Sequence, residues 1–223
     1  LSSKDIQLGR GEPLSDTAQV LSRYMDGIMA RTFAHSDVTT LATHATIPVI
    51  NGLTDLLHPC QALADVLTVR EHFGHCDGLK MAYIGDGNNM AHSLMFAASK
   101  AGMDFACAAP EGYWMDTEIL AQGQADADAA GTALIQTTRI EEAVAGADVV
   151  YTDVWASMGQ EDEAKKRIRD FEGFCVDARV MAQADPKAIF LHCLPAHRGE
   201  EVSAEVCDGP QSIIFEQAEN RLH

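Results

Sequence analysis

Apolar and polar positions alternate along this chain in two rhythms. Near the start, Val20, Leu21, Tyr24, Met25 and Ile28 recur at the 3.6-residue period of a helix, with Ser15 as its expected cap. Ser36 is placed to cap a second helix through Val38, Leu41 and Ala42, which leads to a strand-like run at Ile47-Pro48-Val49-Ile50. A third helix is expected to open at His58, with Pro59 at its first position, and to run to Phe73, where Gly74 ends it. From residue 79 the alternation becomes regular. Short apolar runs at 79–84, 103–109, 132–137, 147–152, 188–193 and 212–215 read as buried strands. Helical periodicity fills 89–101, 116–129, 140–145, 161–171 and 178–184. Strands alternating with helices predict an α/β fold with a doubly wound parallel sheet. Two α/β domains are expected, residues 1–74, incomplete and ending in a linking helix, and residues 75–223.

Composition narrows the class. Sixteen basic against 33 acidic residues in 223 give a net charge of −17, the wrong sign for a phosphate-backbone partner, so nucleic acid is disfavoured. No apolar run approaches the ~20 residues of a membrane span. Six cysteines are scattered without a CxxC pair, a pattern of reduced thiols rather than a disulfide framework. The first residues, Leu1-Ser2-Ser3-Lys4-Asp5, do not resemble a signal or transit peptide, and Met is absent at position 1.

In a doubly wound sheet, ligands bind at the carboxyl ends of the strands, so chemistry is sought in the following loops. Gly85-Asp86-Gly87-Asn88-Asn89-Met90 lies between strand and helix. It reads as part of a dinucleotide fingerprint, with Glu111 as a ribose acid, but Met90 stands where the third glycine belongs. It reads equally as a tight turn with an Asn helix cap, or as paired amides for a small zwitterion. The loop Asp153-Val154-Trp155-Ala156-Ser157-Met158-Gly159 combines an acid and a hydroxyl suited to a charged amine. His192-Cys193-Leu194-Pro195 places a thiol and an imidazole at a strand end, although His192, Cys193 and His197 lack a fourth zinc ligand. At His58-Pro59-Cys60-Gln61 the positive end of a helix can hold an anion while imidazole and amide polarise a carbonyl. Arg31 is a lone cation near a strand end.

Taken in order, these elements resemble the ornithine carbamoyltransferases: Met25-Asp26-Gly27 leading to Arg31, His58-Pro59-Cys60-Gln61, Gly85-Asp86-Gly87-Asn88-Asn89, Asp153 with Ser157-Met158-Gly159, His192-Cys193-Leu194-Pro195, and Ala218-Glu219-Asn220-Arg221. The resemblance implies transfer of a carbamoyl group from carbamoyl phosphate to L-ornithine, giving citrulline and phosphate, with no metal or organic cofactor. It implies that residues 1–74 belong to the carbamoyl-phosphate domain and 75–223 to the ornithine domain. Arg31, His58 and Gln61 would contact carbamoyl phosphate, joined by Cys193, the Leu194 carbonyl and Arg221. Asn89, Asp153, Ser157 and Met158 would hold ornithine, and Asp153, Cys193, His58 and Arg31 would serve catalysis. A homotrimer in the cytoplasm is implied, or in a mitochondrial matrix. The family's Ser-Thr-Arg-Thr-Arg phosphate loop is absent from this sequence. The chain is therefore expected to begin downstream of that loop and to stop before the family's C-terminal helix, and these residues alone would make a poor enzyme. Two rival expectations are a dinucleotide-binding oxidoreductase domain built on Gly85 and Gly87, and a non-catalytic carbamoyltransferase-like subunit.

Overall fold

The computed structural model describes residues 11–156 and 163–223. Its contacts divide into two compact units that part between Cys60 and Gln61. In the first, α1 (Leu14–Leu21), β1 (Ile28–Arg31), α2 (His35–His44) and β2 (Val49–Leu53) form a parallel strand pair with two helices. Ala18, Ala30, Val38 and Leu41 bury together as its small core. Two expectations need correction here. Ile28 does not extend the first helix but opens β1, because α1 stops at Leu21 and a turn follows. Neither Ser15 nor Ser36 caps a helix; Pro13 and Ala34 occupy those positions without a side-chain bond. The Asp55 carboxylate accepts from the His35 backbone N–H instead, so a distant loop takes over the capping.

The second unit begins within α3 (Pro59–Phe73), which has proline at its first position and Gly74 in a left-handed conformation behind it. Then follow β3 (Lys80–Ile84), α4 (Asn89–Lys100), β4 (Asp104–Ala108), α5 (Thr117–Ala130), β5 (Leu134–Thr137), α6 (Ile140–Val144) and β6 (Val149–Thr152). After the undescribed stretch come α7 (Ala164–Asp170), α8 (Ala178–Met181), β7 (Ile189–His192), α9 (Ala204–Cys207) and α10 (Ile214–Glu219). The five strands are all parallel, in the order β5-β4-β3-β6-β7. This is the expected α/β class.

Strand alternation sorts side chains onto two covered faces. Met81, Tyr83, Phe105, Cys107, Val149 and Tyr151 join Ala62 and Val69 of α3 and Leu94 and Met95 of α4 in one layer. Ala82, Ile84, Ala106, Ala108, Val150 and Phe190 meet Ala143, Val180, Val206 and Ile214 in the other. The packing of α3 explains why the contacts divide at the helix's first turn. Its apolar face is part of the second unit's core. Residues 212–215 also depart from expectation. Ser212 makes one bridge to Phe190, and the chain then enters α10, burying Ile214 and Gln217 while Phe215 faces solvent.

Candidate active site

Winding outward from β3 through β4 to β5, then returning across β3 to β6 and β7, puts the reversal of strand order between β3 and β6. A crevice is expected outside the carboxyl ends of those two strands. The register pairs Ile84 with Thr152 and Thr152 with His192, so the loops that follow all three strands start level. Asn88, Asp153 and Cys193 meet there.

Asn88 caps α4. Its Oδ1 accepts from the backbone N–H of Met90 at 2.9 Å and of Ala91 at 3.2 Å. That fixes the amide orientation and directs Nδ2 to Asp153 Oδ2, 3.2 Å away. Asp153 is buried, and its Oδ1 accepts from Val154 N at 2.8 Å and from the Cys193 thiol at 3.0 Å. Burial, and then the Asp153 carboxylate, push the Cys193 thiol well above its ordinary value. The sulfur is therefore a protonated donor at neutral pH.

The following loop is held by a second buried pair. Leu194 has φ 58°, a left-handed conformation unusual for a branched side chain. Its N–H donates to His192 Nδ1 at 2.9 Å, and His192 Nε2 bonds to Glu201 Oε1 at 3.2 Å. Because Nδ1 is the acceptor, the ring proton sits on Nε2, pointing at the carboxylate. Burial raises Glu201, but His192 and the His197 backbone N–H outweigh it and hold the carboxyl below its usual range. Ligand-type atoms of Asp153, His192 and Cys193 lie within 4.8 Å of one another. Both His192 nitrogens already have protein partners, so the ring has no free lone pair for a metal.

A third cluster joins α3 to α10. Gln61 Nε2 donates to Asp65 Oδ1 at 2.7 Å, and Gln217 Nε2 donates to the same oxygen at 2.6 Å. Tyr151 donates its hydroxyl to Oδ2 at 3.2 Å. Arg221 Nη1 donates to Gln61 Oε1, and the His192 N–H donates to Gln217 Oε1 at 2.9 Å. Asp65 is wholly buried, and burial lifts its carboxyl to about 7 against the pull of these donors.

In the first unit, Arg31 ends β1 and is exposed, while His58 follows β2 and is buried. The strands are parallel, so both residues lie towards the carboxyl end of that pair. Thr54 N bonds to Leu57 O at 2.8 Å, and Thr54 Oγ1 accepts from Leu57 N, closing the turn that delivers His58. Asn89 is the half-buried first residue of α4, and Leu194 is half-buried. Ser157 and Met158 lie outside the described residues.

Sequence reasoning named Asn89 for ligand binding and did not single out its neighbour Asn88 as the partner of Asp153. It did not single out Asp65, Tyr151, Gln217 or Glu201. Asp65 had one signal, its place four residues beyond Gln61 on the same helix face. The dinucleotide reading meets an obstacle at Gly87. A Cβ there would collide with the backbone of Trp114 and Met115. The glycine thus admits the chain's own 114–115 segment, which explains it without a bound pyrophosphate.

Comparison with known proteins identifies the family. Residues 77–223 match the family model described as the aspartate/ornithine carbamoyltransferase Asp/Orn binding domain, and residues 1–71 match the carbamoyl-P binding domain of the same family. The ornithine carbamoyltransferase of Oceanobacillus iheyensis is 58% identical over 223 residues, 100% of this chain and 69% of the relative. That of Symbiobacterium thermophilum is 59% identical, over 100% and 72%. The solved ornithine carbamoyltransferase of Pyrococcus furiosus superposes with a TM-score of 0.95 at 52% identity, covering 100% of this chain and 71% of that one. With both family models matched in order along its length, the chain belongs to the aspartate/ornithine carbamoyltransferase family of enzymes.

Proposed function

We propose that this protein transfers the carbamoyl group of carbamoyl phosphate to the δ-amine of L-ornithine, forming L-citrulline and phosphate. The observation that carries the reading is the Asn88–Asp153–Cys193 cluster, centred on a buried carboxylate, at the switch point of the sheet. The names of its relatives supply the substrate pair. Residues 1–74 would serve carbamoyl phosphate and residues 75–223 ornithine, in a cytoplasmic homotrimer. Among the described residues, no helix is long and apolar enough to cross a membrane.

The chemistry sets what the site has to do. An ornithine δ-ammonium titrates like lysine, near ~10.4, so presenting a free amine at neutral pH costs roughly 4–5 kcal/mol. Asp153 is the carboxylate that receives or relays that proton, and its partners Asn88 and Cys193 keep it aligned. The amine lone pair then forms the C–N bond while the carbonyl π pair moves onto oxygen. On this reading His58 and Arg31 are the donors to that developing charge, each worth roughly 3 kcal/mol by analogy with oxyanion-hole donors. When the carbonyl re-forms, the C–O bond pair leaves with phosphate, which takes the second amine proton. Gln61, Arg221 and the Leu194 carbonyl hold the carbamoyl end. Asn89, Ser157 and Met158 hold the amino-acid end of ornithine.

Asp153→Asn tests this directly in a citrulline assay. The substitution keeps the shape and removes the base, so kcat should fall by about 100-fold or more. Unchanged turnover would remove Asp153 from proton transfer.

A further inference from the structure

Asp65 is wholly buried, and it accepts hydrogen bonds from three buried side chains, those of Gln61, Gln217 and Tyr151. An ionised carboxylate only accepts hydrogen bonds. Two amides that bond to it must therefore both present nitrogen, which turns both amide oxygens the other way. For Gln61 that oxygen meets the Arg221 guanidinium, and for Gln217 it meets the N–H of His192, the residue before Cys193. With either amide reversed, an NH₂ group would face a cationic or N–H donor, and a buried donor left unsatisfied costs about 1–3 kcal/mol. One side chain thus sets the orientation of both.

We infer that Asp65 is a positioning residue for the carbamoyl site, orienting Gln61 so that it holds Arg221, and orienting Gln217 so that it anchors the strand end that carries Cys193. The inference rests on the proposed function, because it takes Gln61 and Arg221 as carbamoyl contacts. Asp65 itself meets neither substrate. Tyr151 completes the arrangement. Its hydroxyl donates to Asp65 Oδ2 and accepts from Gln217 Nε2 at 3.1 Å, so the carboxylate, bonded at Oδ2 by Tyr151 and at Oδ1 by both amides, cannot rotate without breaking bonds at both oxygens.

The test combines kinetics with a direct reading of orientation. Asp65→Asn should raise the KM for carbamoyl phosphate by about tenfold and leave the KM for ornithine within about twofold, the coupling expected between residues of one network. In an Arg221→Ala background the same change should add less than about twofold, because the group it positions is gone. Independent, multiplying effects would overturn the inference, since a merely structural role would act regardless of Arg221. If Asp65→Asn does not fold, the unaltered protein labelled with ¹⁵N-glutamine decides. Both nitrogens bond the same Oδ1, so the side-chain NH₂ protons of Gln61 and Gln217 should show a nuclear Overhauser contact. Absence of that contact would refute the shared orientation. A protein that shows this contact but does not carbamoylate ornithine would overturn the proposed function and leave the amide orientation standing.

Discussion

Holding a carboxylate where Asp65 sits has a thermodynamic consequence that can be measured. Burial raises its carboxyl from 3.8 to about 7, against donors from Gln61, Gln217 and Tyr151. The gap of roughly 3 units corresponds to about 4 kcal/mol, at about 1.4 kcal/mol per unit. The folded state binds this proton more tightly than the unfolded chain does. The stabilisation is therefore fully present below about pH 4 and is lost as pH rises through about 7, with about 3 kcal/mol of it falling between pH 5 and pH 8. Asp65→Asn removes the titration while keeping the shape. Urea unfolding of both proteins across that range, followed by fluorescence, reports on the second unit, because both tryptophans, Trp114 and Trp155, lie in it. Other ionisable groups cancel in the difference. The variant should gain about 3 kcal/mol relative to the unaltered protein between pH 5 and pH 8. A difference constant to within about 0.5 kcal/mol would refute the burial argument. The comparison also separates two demands on one residue, because the ionised form that orients the amides is the form that weakens the fold.

The remaining predictions concern the two ends of the site. Arg31→Ala should raise the KM for carbamoyl phosphate by about 10- to 100-fold, the worth of a charged hydrogen bond, and change that for ornithine far less. Equal effects on both substrates in steady-state assays would remove Arg31 from the phosphate. Glu201→Ala leaves His192 Nε2 and the His197 N–H without their acceptor and should cost about 2–4 kcal/mol in urea unfolding. Glu201→Gln should cost less than half of that, and a loss below about 0.5 kcal/mol for the alanine variant would contradict the buried pair.

The sequence was most readable where local chemistry and tertiary structure agree. Pro59, Gly74 and Asn88 mark helix ends by their own backbone preferences, and the apolar runs of β3, β4, β6 and β7 are buried on both faces. Ile28 misled because periodicity continued across a turn that the pattern does not encode. Residues 212–215 misled because a β-branched run can make one bridge and then enter a helix whose buried residues, Ile214 and Gln217, lie three apart. Within the site, the loops that hold Asp153 and Cys193 were legible from topology. The protonation of Cys193 was not, since it depends on burial in the folded unit and on a carboxylate 40 residues away. Asp65 was hidden for the same reason, because a lone acid on an apolar helix gains meaning only when Gln217 and Tyr151 arrive.

The bonds from Gln217 to Asp65 and from Asn220 to Thr68 each join residues 152 positions apart. Closing a chain loop of that length costs roughly 4 kcal/mol beyond a constant term, and nothing local repays it. Such non-local contacts are slow to form, because loop closure is opposed before the contact rewards it. The junction of α3 with the α10 end of the chain, where Arg221 meets Gln61, is accordingly a part of this unit that local structure alone does not hold. A partly folded second unit can carry its full hydrophobic core and still have no ordered place for Arg221. On the proposed reading, binding of carbamoyl phosphate would therefore report that this unit has finished folding.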